Sequence, residues 1–158
     1  IRNVSLFSLL NQQTNDWSKE RYGQAAILSP VKKYILLSIG KLKNKKFLLP
    51  YLKKLAKKPE FIFYATKKTH IFLDKNGIKS SLVYKISEFG KIPNIADLLQ
   101  KMVFDIIINI PTRKEIKTSK EFTDGKFIRN GAVKKGINLI TDTEVALMTI
   151  REIIKQKL

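Results

Sequence analysis

From residue 104 the chain reads Phe104-Asp105-Ile106-Ile107-Ile108-Asn109-Ile110. Successive side chains of a strand point to opposite faces, so a strand with isoleucine at consecutive positions must be covered on both sides. That is the signature of an internal strand in a parallel sheet. Shorter runs of the same kind recur along the chain. Tyr34-Ile35-Leu36-Leu37-Ser38-Ile39 ends at Gly40, Phe61-Ile62-Phe63-Tyr64-Ala65 follows Pro59, and Leu82-Val83-Tyr84 and Asn138-Leu139-Ile140 are brief. Between them lie segments of helical period. Residues 43–58 carry Phe47, Leu48, Tyr51, Leu52 and Leu55 at helical spacing among lysines, with Pro50 inside marking a late start or a kink. Residues 66–75 close at Asn76-Gly77, residues 94–101 turn Ile95, Leu98 and Leu99 inward, and residues 126–135 close at Gly136. Residues 143–156 place Leu147, Ile150 and Ile154 on one face, and residues 113–125 read as a polar loop. Strand and helix thus alternate, which predicts an α/β fold: a three-layer sandwich whose central, mostly parallel sheet of about five strands is flanked by helices.

The 158 residues fit one domain, expected over residues 31–158. Residues 1–30 read as an N-terminal extension or linker: Leu6, Leu9 and Leu10 sit at helical spacing, a polar stretch carries Trp17, and Pro30 closes it. The first residue is Ile, which suggests a fragment or a trimmed or processed chain. No apolar signal segment follows a basic start, and no apolar run approaches the ~20 residues that a spanning helix needs. With Cys at 0, disulfide scaffolds, thiol nucleophiles and cysteine zinc sites are excluded. With His at 1, any Ser-His-Asp triad would have to use His70, which reads as a surface or packing residue. No bound metal or cofactor is expected. Lys+Arg is 31 against Asp+Glu 13, a net charge of +18. Such a balance suits a nucleic-acid or anion partner. It also follows from composition, since lysine, isoleucine and asparagine are all abundant and an AT-rich coding sequence favours them. Arginine, whose fork reads phosphates and bases bidentately, is scarce. A nucleic-acid partner is therefore not the expectation.

In open parallel sheets, ligands sit at the carboxyl ends of the strands, near helix N-termini. The loop after the second strand is Ala65-Thr66-Lys67-Lys68-Thr69. Hydroxyls, ammonium groups and the free N–H groups of a first helical turn make a phosphate or carboxylate cradle; the plain alternative is a threonine cap with solvated lysines. Asn109-Ile110-Pro111-Thr112-Arg113-Lys114, which alone reads also as a turn, directs further polar groups to the same sheet edge, and Lys85 closes the third strand, either within reach of that edge or as a plain surface lysine. The acids Asp74, Asp97, Asp105 and Asp124 show no spacing that pairs two carboxylates, and no glycine-rich nucleotide loop is present.

Taken in order, several stretches carry a resemblance: Ile35–Ile39; Tyr64-Ala65-Thr66-Lys67-Lys68-Thr69 followed by Leu73-Asp74-Lys75-Asn76-Gly77-Ile78; Val83-Tyr84-Lys85-Ile86; Ile95-Ala96-Asp97-Leu98-Leu99; Asp105–Pro111; Asp124-Gly125-Lys126-Phe127-Ile128-Arg129-Asn130-Gly131-Ala132-Val133; and Ile140-Thr141-Asp142-Thr143. From about residue 32 onward the chain resembles the methylglyoxal-synthase-like domains, and among them the C-terminal allosteric domain of the carbamoyl phosphate synthetase large chain. The resemblance implies that fold and an effector site. The family's phosphate ligands map to Thr66, Thr69, Lys85, Asn109 and Thr112, with Lys67 beside them. A first-loop lysine is implied too; Lys41, Lys43, Lys45 and Lys46 all compete for it, and Lys43 is carried forward. The implied effector is UMP-like, IMP-like or N-acetylglutamate-like, and Lys67 and Lys68 replace smaller residues of bacterial members. The implied partners are the ATP-grasp domains of the large chain and its glutaminase subunit. The implied setting is pyrimidine and arginine biosynthesis in the cytoplasm, or in the mitochondrion for a urea-cycle form. True methylglyoxal synthases carry ionisable groups at positions that fall here on Ile39-Gly40, Ile92-Pro93-Asn94 and Ile110-Pro111. The resemblance therefore implies binding without catalysis. The rival readings are an active methylglyoxal synthase with a shifted catalytic set, and a basic nucleic-acid-binding module.

Overall fold

A computed structural model describes residues 31–112 and 123–156. The N-terminal extension and most of the loop from Arg113 lie outside the described residues. Those from Lys33 onward group into one compact unit. Strands β1 (Lys33–Ile39), β2 (Phe61–Thr66), β3 (Ser81–Val83), β4 (Ile106–Ile110) and β5 (Asn138–Ile140) alternate with helices α1 (Leu42–Ala56), α2 (Lys67–Lys75), α3 (Ile95–Gln100), α4 (Asp124–Lys135) and α5 (Thr143–Lys155). All strand pairings are parallel, in the order β3-β2-β1-β4-β5. The expected α/β sandwich is thus present, with β1 at its centre.

Every residue of β4 is buried, as its unbroken apolar run requires. Leu36 of β1 stands beside Ile107 of β4, and both enter a core with Ile95 and Leu99 of α3 and Ile128 and Ala132 of α4. Ile35, Leu37, Ile106 and Ile108 alternate to the opposite face and are buried as well. There α1 packs against α5, and Lys58 Nζ near the end of α1 donates to the Gln156 carbonyl at 2.9 Å.

Several helix details differ from the periodic reading. Helix α1 runs unbroken through Pro50. It buries Leu48, Leu52 and Leu55 but also Lys45, and leaves Phe47 48% exposed. Of the five apolar residues at helical spacing, Leu48, Leu52 and Leu55 are buried, Tyr51 is half-buried and Phe47 is exposed. Helix α5 buries Ala146, Ile150 and Ile153 and leaves Leu147 and Ile154 half-buried. Helix α4 starts at Asp124, two residues earlier than its apolar pattern, because Thr123 caps it: the Thr123 hydroxyl accepts the Lys126 N–H at 3.1 Å. It ends at Gly136 in the left-handed conformation (φ 67°), where glycine carries no Cβ penalty.

Replacing Ile107 by Ala removes a fully buried side chain between the sheet and the layer of α3 and α4 and is expected to cost about 2–5 kcal/mol. Val133→Ala, at a side chain 71% exposed, is expected to change stability by less than about 0.5 kcal/mol. Urea unfolding of the two variants checks the contrast.

Candidate functional site

The strand order places the topological switch between β1 and β4. Chain leaving β1 turns toward β2, whereas chain leaving β4 turns toward β5, so a crevice opens beyond their carboxyl ends. A cavity of about 560 Å³ lies there, lined by residues from the ends of β1, β2 and β4, the first turns of α2 and α4, and the segment after β3. Its volume falls in the range of small-molecule sites.

The inner wall is fastened by hydrogen bonds. Gly40 donates its N–H to the Ile110 carbonyl at 2.8 Å, and a Cβ on Gly40 would lie 2.8 Å from that same oxygen. Only glycine lets the two strand ends come so close. Thr69, 1% exposed, accepts the Ile39 N–H at 3.0 Å and donates to the Ile39 carbonyl at 3.3 Å. Thr66 donates from its hydroxyl to Ser38 Oγ at 3.1 Å. Thr66 is also the N-cap of α2, and its side chain makes no capping bond. The first turn of α2, which lines the cavity, therefore lacks a capping side chain among the described residues and lies at the positive end of the helix dipole. Lys67 and Lys68 stand exposed on that turn, and Lys85 reaches the rim half-buried.

The outer wall is the segment after β3. Ser87 donates its N–H to Asp124 Oδ1 at 3.1 Å and its hydroxyl to Asp124 Oδ2 at 2.8 Å. Glu88 Oε2 accepts the Lys85 N–H at 3.0 Å, and Glu88 Oε1 faces Lys91 Nζ at 3.7 Å. On the β4 side, Arg129 donates from Nη1 to Asn109 Oδ1 at 2.7 Å.

Of the residues singled out in the sequence, Thr66, Lys67, Thr69, Lys85, Asn109 and Thr112 all line this one cavity. Lys43 does not: it is exposed on α1 and outside the lining. Of the first-loop lysines, Lys45 is the buried one. Burial lowers its pKa from the ordinary lysine value, and the Lys68 charge lowers it further. Sequence reasoning missed Ser38, Ser87, Glu88, Asp124 and Arg129. Asp124 and Arg129 stand within a stretch that carried the resemblance, yet nothing in their spacing shows that the fold aims them at this edge. His70 lies outside the lining and bonds Ser80 Oγ through Nδ1 at 2.8 Å, a tether between α2 and the segment before β3. Among the described residues no His, Asp and Glu cluster suits a metal ion, and no helix is long and apolar enough to cross a membrane.

Residues 47–141 match the family model of the MGS-like domain. The chain is 36% identical over 129 residues to the carbamoyl phosphate synthase large chain of Archaeoglobus fulgidus, covering 82% of this chain and 11% of that protein. The large chain of Clostridium botulinum (strain Eklund 17B) is 38% identical over 119 residues, covering 75% and 10% of the two chains. The C-terminal section of the large chain of Methanopyrus kandleri is 35% identical over 117 residues, covering 73% and 20%. The chain thus spans between about a tenth and a fifth of the length of these relatives.

Two outcomes are expected from the site's construction. Thr69→Ala strands the buried Ile39 N–H and is expected to cost about 1–3 kcal/mol, whereas Thr66→Ala breaks a single hydroxyl–hydroxyl bond and costs about 0.5–1.5 kcal/mol; urea midpoints rank the two. Lys45 holds its proton less tightly when folded than when unfolded, so its penalty is fully present below the folded pKa. The penalty is relieved as pH rises through that pKa toward 10.5. Lys45→Met is therefore expected to raise the melting temperature at pH 7, with a gain that shrinks as the pH approaches 10.

Proposed function

The chain belongs to the MGS-like domain family, and from that premise we propose that it is the effector-binding, regulatory part of a carbamoyl phosphate synthase large chain. The ligand on this reading is a small phosphorylated or carboxylated anion, either a nucleoside monophosphate such as UMP or IMP or an N-acetylglutamate-like acid. The observation that carries the reading is convergence on one cavity: Lys67, Lys68 and Lys85 meet the uncapped first turn of α2 there. Amide N–H groups at a helix start, together with ammonium groups, suit an oxyanion, and each charge-assisted hydrogen bond contributes roughly 1.5–3 kcal/mol. Thr69 contributes its position on that first turn, since its hydroxyl is already engaged by Ile39. The partners would be the ATP-grasp portions of the large chain and its glutaminase subunit, and the setting pyrimidine and arginine biosynthesis.

A catalytic role in methylglyoxal formation has one observation in its favour: two carboxylates, Glu88 and Asp124, line the cavity. Their oxygens, however, already accept hydrogen bonds from Lys85 and Ser87. Gly40 has no space for a side chain, Ile110 is buried, and Ile92 is 82% exposed to solvent. None of these positions supplies a base at the cavity, and a positioned base accounts for about 10²–10⁴-fold in rate.

The test is thermal unfolding with UMP, IMP or N-acetylglutamate at millimolar concentration. At least one is expected to raise the melting temperature, because a ligand at 100 times its Kd stabilises the native state by about 2.7 kcal/mol. Lys67→Ala and Lys85→Ala should weaken that stabilisation without lowering the ligand-free melting temperature. Incubation with dihydroxyacetone phosphate is expected to release no methylglyoxal. Failure of all three anions removes the regulatory reading, and turnover lost on Asp124→Asn would transfer the assignment to a synthase.

A further inference from the structure

Asn109 sits on β4 at 2% exposure, directly beside Ser38 of β1. Its carboxamide has an acceptor end and a donor end of nearly equal size, and what the cavity meets depends on which end faces it. Arg129, from the middle of α4, makes the contact to Oδ1 at 2.7 Å. A guanidinium carries only donors, so it can engage only the acceptor end. The donor end, Nδ2, has no protein partner among the described residues, yet no buried side-chain nitrogen or oxygen there is left unsatisfied. Nδ2 therefore opens onto the cavity that Asn109 lines.

We propose that Arg129 is a positioning residue that locks the Asn109 carboxamide with its N–H donors toward the cavity, so that this wall accepts an oxyanion and rejects a group presenting hydrogen-bond donors. Arg129 does not line the cavity and acts through Asn109. Without it, the amide is free to rotate and present its carbonyl oxygen to the ligand, which repels an anion's oxygens. What the donor end is for rests on the reading under Proposed function; the orienting bond does not.

The experiment uses Asn109→Asp, Arg129→Lys, Arg129→Met and the double variant Asn109→Asp/Arg129→Met. It has two readouts: ligand-free thermal unfolding from pH 5 to 8, and calorimetric binding of inorganic phosphate and UMP. With Arg129 present, the carboxylate introduced by Asn109→Asp gains an ion partner, so this variant is expected to keep the wild-type melting temperature across that range. The second oxygen of that carboxylate now faces the cavity as an acceptor, and phosphate affinity should fall about tenfold or more. In the double variant the carboxylate is buried and unpaired, which raises its pKa. Stability is then present at pH 5 and lost as pH rises toward 8. Arg129→Met should weaken phosphate binding, and Arg129→Lys, which keeps one donor, should restore part of it. The proposal is overturned if Asn109→Asp is destabilised equally with and without Arg129, or if phosphate binds Asn109→Asp as tightly as wild type. If wild type takes up neither phosphate nor UMP, the functional reading falls, while the pH dependence of the double variant still decides whether Arg129 holds position 109.

Discussion

The pairing of β1 with β4 is the constraint on which the site depends. These strands are neighbours in the sheet but far apart in the chain, and their pairing splits the connections to either side, leaving the crevice between. Where the strands end, the approach is set by backbone alone: the Gly40 N–H reaches the Ile110 carbonyl, and no side chain fits between them. That register brings Ser38 opposite Asn109, and Ser38 and Ile39 in turn hold the start of α2 through Thr66 and Thr69. The cavity wall is therefore continuous with the sheet and is not an independent loop structure.

The other side of the cavity is fastened to two helix starts: Asn94, the N-cap of α3, donates from Nδ2 to the Lys85 carbonyl at 3.0 Å, and α4 holds the rest. Asp124 at the start of α4 holds Ser87, and with it the segment that carries Lys85 and Glu88; Arg129 on the same helix holds Asn109. A shift of α4 along its axis would alter both walls at once, because a packed helix moves as a unit.

Most of the fold was legible in the sequence because each strand is a short, nearly unbroken apolar run and each helix a separate amphipathic stretch. Ile106, Ile107 and Ile108 announced a strand covered on both faces, and β4 is fully buried. What periodicity could not supply was helix phase to within a residue. Phe47 and Leu147 have the spacing of core residues, yet which flank of a helix is buried depends on the neighbour it meets, and α1 and α5 meet each other. The candidate site was legible where polar residues end a strand or follow it directly, as at Thr66, Lys67, Thr69, Asn109 and Thr112. Lys85, one residue beyond the bridge at Tyr84, belongs to the same class. The contributions of Asp124, which lines the cavity, and of Arg129, which holds Asn109, were not, because both come from a helix that follows a long loop, and only the tertiary arrangement aims them. Lys43 is exposed on α1 and outside the lining, while Lys45, two residues and about 200° further round the helix, is buried and also outside it.

The hydroxyls of Thr66 and Thr69 donate inside the protein, whereas the ammonium groups of Lys67, Lys68 and Lys85 make no hydrogen bond or ion pair among the described residues. Framework and ligand grip are thus carried by different residues, although they occupy the same turn of α2. Exchanging Lys67 and Lys68 for smaller or differently charged residues would change what the cavity attracts and leave the threonine bonds in place. The charge of the cavity can therefore change while the bonds that hold its inner wall stay intact.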